Sequence, residues 1–130
     1  MDKGNVTIGV CGGAAGFAPR WKEALRARGA DVRDLDLLGA EPLKQVAGCA
    51  GVMWHWYHYP SEIRWAALPL LRVIEERLRI PVFPDLATCW HFDDKIAQSY
   101  LLEALEIPCP RTWIFWREAD ARAWCEQAEY

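Results

Sequence analysis

The stretch that decides the reading is Cys89-Trp90-His91-Phe92-Asp93-Asp94-Lys95-Ile96-Ala97-Gln98-Ser99-Tyr100-Leu101-Leu102-Glu103-Ala104-Leu105-Glu106-Ile107-Pro108-Cys109-Pro110-Arg111-Thr112. It predicts one helix with a marked start and a marked stop. Asp93 and Asp94 suit the N-terminus, where a side-chain oxygen takes free backbone N–H groups and a carboxylate meets the positive end of the dipole. Ile96, Ala97, Tyr100, Leu101, Ala104 and Leu105 recur with helical period and make one apolar stripe. Pro108 and Pro110 forbid continuation.

Lys95 breaks this pattern, because a cation in the first turn faces the positive end of the dipole. An anion held there would reverse the balance, since backbone N–H groups and an ammonium would point at it together. Two readings are open: Lys95 is a phosphate contact, or it is a solvated lysine paired with Asp93 or Glu62.

Upstream, strand-like and helix-like segments alternate. Val6-Thr7-Ile8-Gly9-Val10-Cys11 is apolar and β-rich, a buried parallel strand in type. Gly12-Gly13-Ala14-Ala15-Gly16 follows, then a helix over 19–28 with Trp21, Ala24 and Leu25 inward and Gly29 as its stop. Strand, glycine loop and helix are the layout of a dinucleotide fold, but the fingerprint fails: Gly13 and Gly16 fit its last two glycines, and Cys11 stands where the first belongs. The loop, Gly12 and Gly13 above all, reads either as ligand-facing or as a tight turn.

Asp31 to Leu38 alternates apolar and charged residues and predicts a second strand. Asp34 and Asp36 lie at the distance of a ribose-binding acid, yet the alternation assigns them more simply to the solvent side of a strand near the sheet edge. A short helix is expected over 41–46 and a third strand over 50–56. That strand runs into the densest aromatic and histidine cluster of the chain, Trp54-His55-Trp56-Tyr57-His58-Tyr59. Ligands of open α/β sheets sit outside the carboxyl ends of strands. His55, Trp56 and His58 are therefore candidate pocket residues, with inward packing of the aromatic rings as the competing account. No acid or cysteine beside His55 and His58 completes a metal set, so no metal ligand is assigned.

Ser61 is a good N-cap for a helix over 61–79 with Ile63, Ala66, Ala67, Leu70, Ile74 and Leu78 inward. Pro69 within it predicts a kink or two shorter helices. Ile80 to Pro84 is a short fourth strand, and His91, in the aromatic lead into the central helix, joins the pocket candidates. Thr112 to Trp116 predicts one more strand, and 118–128 a last helix with Ala121 and Trp124 inward. The alternation predicts an α/β fold, a parallel sheet with helices on both faces.

The 130 residues suffice for one domain with a real core. A net charge of −3 without a basic cluster excludes a nucleic-acid footprint. No apolar run has the length of a membrane span, and no signal peptide precedes the first strand. Five scattered cysteines argue against a disulfide framework and for a reduced, cytoplasmic setting. Eight tryptophans mean a heavily aromatic core or an apolar surface that something covers. Trp113, Trp116 and Trp124 would form such a patch and support homo-oligomerisation.

The Asp94-Lys95 pair opening a helix, Leu101-Leu102 within it, and Ile107-Pro108-Cys109-Pro110-Arg111-Thr112 leading into a strand-like run resemble the joint of an ATP-grasp ligase. In that family the segment connects the pre-ATP-grasp domain to the nucleotide-binding part. The aromatic runs 54–60 and 88–92 are similar to those of a bacterial subset related to the ribosomal-protein glutamate ligases. The resemblance spans about Val6 to Trp124. It implies a Rossmann-like pre-ATP-grasp domain over 1–92, then, over 93–130, a connecting helix and the first strand and helix of an incomplete ATP-grasp lobe.

It also implies a function: ATP- and Mg²⁺-dependent joining of a carboxylate to an amine through an acyl phosphate, with ATP and a small molecule as partners. Lys95 matches the family's first phosphate-contacting lysine. The second lysine, the glycine-rich flap and the Mg²⁺-binding acid and asparagine come later in the family, and nothing after Trp116 resembles them. No catalytic residue is assigned, and the chain is expected to be inactive alone. Without the resemblance, the residues suggest a free-standing Rossmann-like module that binds a nucleotide or a small acid.

Overall fold

In the computed structural model, residues 5–57 and 61–129 are described. They fall into two units, 1–90 and 91–130. In the first, strand β1 (Thr7–Cys11) leads into helix α1 (Ala18–Ala27), β2 (Asp31–Leu35), the short α2 (Pro42–Val46), β3 (Gly51–Trp54), α3 (Ser61–Arg72), a π-helical turn (Val73–Arg77), β4 (Val82–Phe83) and one turn of helix, α4 (Leu86–Cys89). The second holds α5 (Lys95–Ala104) and α6 (Glu118–Gln127).

The four strands form one parallel sheet in the order β2-β1-β3-β4. Register and alternation assign its faces. Gly9 lies opposite Arg33 and Val52, and Val52 opposite Val82; Cys11 lies opposite Leu35 and Trp54. These residues share one face because side chains alternate along a strand. Cys11, Leu35, Val52, Trp54 and Val82 are buried there with Val46 of α2 and Ala67, Leu71 and Ile74 of α3 and the π-turn. Gly9 is obligatory on this face, since a Cβ would sit 2.5 Å from Leu35 Cδ1.

The other face carries Asp34, Val10, Met53 and Phe83 in register. Helix α1 covers it: Trp21 meets the Phe83 ring edge-on at 5.6 Å, and the Lys22 ammonium pairs with the Asp34 carboxylate. That ion pair holds the Asp34 carboxyl below the usual carboxylate range. Helices thus lie on both faces of a parallel α/β sheet, as the strand–helix alternation predicts. Trp21 and Leu25 are half-buried, whereas Ala24, also expected inward, is exposed.

Strand β2 is an edge strand. Its Arg33 guanidinium donates to the carbonyls of Gln45 (3.0 Å) and Ala47 (2.6 Å) at the end of α2. At the opposite edge, β4 has only two residues.

Helix α3 runs through Pro69, where a kink or a break was expected. The irregularity comes in the next turn, where the Leu78 amide reaches the Val73 carbonyl at 3.0 Å, one residue further back than in an α-helix. Ala67, Leu71 and Ile74 are buried and Ile63 and Leu70 half-buried, whereas Ala66 and, past the π-turn, Leu78, both expected inward, are exposed. The Ser61 side chain, expected as a cap, lies outside the described residues.

In the second unit the central helix starts where the sequence places it. Asp94, not Asp93, is the cap, its Oδ1 accepting from the amides of Ile96 (3.1 Å) and Ala97 (2.9 Å). Among the described residues of 91–130, none is buried. The strand expected over Thr112–Trp116 does not form: 111–115 adopt no regular structure. A strand needs a neighbour for its backbone groups, and the described residues of this unit hold no strand to pair with. Its rings pack locally instead, Trp113 and Phe115 against Trp124 at 4.9 and 5.8 Å. Ala121 and Trp124 of α6 are half-buried.

Candidate functional site

Strand order places β2 on one side of β1 and β3 on the other, so the connections leave the C-terminal ends of these strands in opposite directions. An open parallel sheet develops a crevice at such a point. A cleft of about 330 Å³ lies there. Cys11, Gly12 and Gly13 line it from the end of β1, Leu35, Asp36 and Leu38 from β2, Trp54 to Tyr57 from β3, and Phe17 and Ala18 from the start of α1.

The glycine loop makes this space. Gly12 has φ +146°, and a Cβ there would lie 2.8 Å from the Ala18 Cβ. Gly16 has φ +87°, and the Tyr57 hydroxyl occupies the space its side chain would take. The loop therefore delivers Phe17 onto the aromatic cluster, where its ring meets His55 edge-on at 4.8 Å. His55 in turn meets Tyr57 at 5.8 Å, and Trp54 meets Trp56 at 5.8 Å. Trp54 and Trp56 are buried and anchor the cluster, while Phe17 and Tyr57 are more than half exposed. Pocket lining and inward packing, set against each other by the sequence, are both true of this run.

Asp36 sits just past the end of β2. Its amide donates to Gln45 Oε1 at 2.8 Å, and its carbonyl accepts from Gln45 Nε2 at 2.9 Å. Its carboxylate lies over Gly39, where any side chain would collide with it. Of the two acids the sequence assigns to the solvent side of the strand, Asp34 pairs with Lys22, and Asp36 lines the cleft. On the cleft wall, burial pushes the Cys11 thiol pKa up, and the Asp36 charge adds to the rise against the Leu37 backbone and Lys22.

Of the candidates named from sequence, Gly12, Gly13, His55 and Trp56 come together here. His58 lies outside the described residues. His91 and Lys95 belong to the second unit. The His91 carbonyl accepts from the Asp94 amide and from Gln98 Nε2 (3.0 Å). The Lys95 side chain is 79% exposed, 3.6 Å from the Asp93 carboxylate and 3.2 Å from Gln98 Oε1. This is the solvated, Asp93-paired arrangement, the second of the two readings open for it. Phe17, Tyr57, Leu38 and Ile63 line the cleft without having been singled out. Phe17 had a signal, standing directly after the glycine loop.

Among the described residues, no group of three His, Cys, Asp or Glu side chains could hold a metal ion. None of the described helices is long and apolar enough to cross a membrane. No family model, no curated protein and no solved structure matches the chain.

Proposed function

We propose that the first unit is a small-molecule-binding lobe of Rossmann-like layout, and that the chain is the N-terminal part of an ATP-dependent carboxylate–amine ligase of the ATP-grasp kind. The observation that carries the binding reading is the cleft: it lies where the strand order reverses, and glycines and aromatic rings line it. The ligase half rests on the resemblance of Asp94-Lys95 and Ile107-Pro108-Cys109-Pro110-Arg111-Thr112 to the ATP-grasp joint. In this reading Lys95 approaches a nucleotide phosphate, and groups beyond these residues complete the chemistry. A cytoplasmic setting accords with five free cysteines.

Two measurements test the two halves. In the first, cleft signals of the ¹⁵N-labelled chain (the Trp54 and Trp56 indoles, the Gly12 and Gly13 amides) are followed against a panel of small amines and acids. Saturable shifts support the lobe, and silence across the panel overturns it. In the second, ATP with Mg²⁺ is titrated: shifts confined to 93–98 and abolished by Lys95→Ala support the phosphate contact. No ADP is expected to be released with any amine, and turnover would overturn the inactivity of the chain alone.

A second reading is a binding module without catalysis. It is favoured by the solvent-facing Lys95, already satisfied by Asp93 and Gln98. Undetectable ATP binding together with saturable ligand binding in the cleft would select it. In either reading a second copy is a proposed partner through the second unit, where Trp116 is 75% exposed. Sedimentation of a clean monomer at high concentration would refute that partner.

A further inference from the structure

The cleft has a charge bias that bears on what it holds. Among the described lining residues, Asp36 is the one acidic group, and no lysine or arginine joins it. Lys22, on the neighbouring helix, is engaged by Asp34. Five aromatic rings, Phe17, Trp54, His55, Trp56 and Tyr57, line the same space. The faces of phenyl, phenol and indole rings carry negative potential and attract cations. A phosphate or carboxylate entering this cleft would meet the Asp36 carboxylate and no lysine or arginine side chain to offset it. A cation would gain from both the rings and Asp36.

We infer that the cleft takes a compact organic cation, an amine held as its ammonium form, with its charge toward Asp36 and its apolar body against the rings of Phe17 and Tyr57. This rests on the reading of the cleft as the ligand site and narrows it to one chemical class. The volume of about 330 Å³ suits a ligand of one ring or a short chain. Gln45 fixes the Asp36 backbone at the edge of the cleft by its amide and carbonyl.

Three probes of one shape test it on the full chain: 2-phenylethylammonium, neutral 2-phenylethanol and anionic 3-phenylpropionate. Binding is read from the Trp54 and Trp56 indole signals. The ammonium is expected to bind at least tenfold more tightly than either of the others. Asp36→Asn should erase that preference, whereas Asp34→Asn should leave it intact. Should Asp36→Asn fail to fold, Phe17→Leu provides the second variant, expected to weaken the ammonium more than the alcohol. If 3-phenylpropionate binds as tightly, or the preference survives loss of the Asp36 charge, the cation inference fails while the cleft stands as a site. If no probe moves these signals, and the wider panel moves none either, the cleft reading itself fails.

Discussion

The Gln45 side chain closes a two-bond ring on the backbone of Asp36, accepting from its amide at 2.8 Å and donating to its carbonyl at 2.9 Å. It does there what a neighbouring strand would do, at the point where β2 has run out. A third bond, from Nε2 to the Ala40 carbonyl at 3.1 Å, ties the following turn into the same clamp. Gln45→Ala is expected to cost about 1 kcal/mol, because the lost bonds are solvent-exposed and the Asp36 carbonyl keeps the Gly39 amide. Gln45→Glu should cost more, because it replaces a donor with a charged acceptor facing two carbonyls. Urea unfolding of both variants checks the order, and equal stability of Gln45→Glu and wild type would contradict it.

The two adjacent glycines of the loop should respond differently to the same methyl group. Gly12→Ala meets both a φ of +146° and the Ala18 Cβ, and is expected to lose about 1–3 kcal/mol. Gly13 has open space around it, so Gly13→Ala should stay within about 0.5 kcal/mol of wild type. Thermal melts of the pair decide it.

The cysteines divide by burial. Cys109 and Cys125 are exposed, whereas Cys11, Cys49 and Cys89 are buried. Burial pushes the Cys11 and Cys89 thiols up, which lowers their thiolate fraction at neutral pH. Iodoacetamide at pH 7 should label Cys109 and Cys125 quickly and the other three only on unfolding. Asp36→Asn should leave Cys11 protected, since burial, the larger cause of its raised pKa, remains. Mass spectrometry of the labelled peptides reads both outcomes.

Asp85 caps α4, its Oδ1 accepting from the Thr88 hydroxyl and amide, each at 2.8 Å. Those bonds, hydroxyl first, hold its carboxyl below the usual carboxylate range. A carboxyl depressed in the folded state stabilises above its unfolded value of about 3.9, and the contribution fades as pH falls through the folded value. Wild type should therefore exceed Asp85→Ala in stability at pH 7 by a margin that narrows below pH of about 4. A margin unchanged down to pH 2 would contradict this assignment.

Periodicity located most of the first unit because each of its segments has a partner that rewards the pattern. Val10 and Val52 are buried on opposite faces of one sheet, and the apolar runs around them read directly as parallel strands. The same logic misled at Thr112–Trp116, where β-rich residues alone do not supply a neighbouring strand. At Pro69 the helix continues, so two shorter helices do not form, and the π-helical turn comes at Val73–Arg77, a feature without a local sequence signal.

The candidate site was half legible. Gly12, Gly13, His55 and Trp56 were identified by position, at strand ends. Asp34 and Asp36 look alike in an alternating strand. They part only because α1 brings Lys22 over the first, while β2 ends before the second. That distinction is tertiary. The exposure of Lys95 is likewise invisible in a sequence that places a cation at a helix start.

The reach of Arg33 over the outer rim of the sheet has one more effect. It holds a charged side chain on the edge strand, next to Asp34, and charge on an edge strand disfavours pairing with a further strand. The opposite rim is only two residues long. A lobe with edges of this kind is expected to resist growing by strand addition into fibrous aggregates.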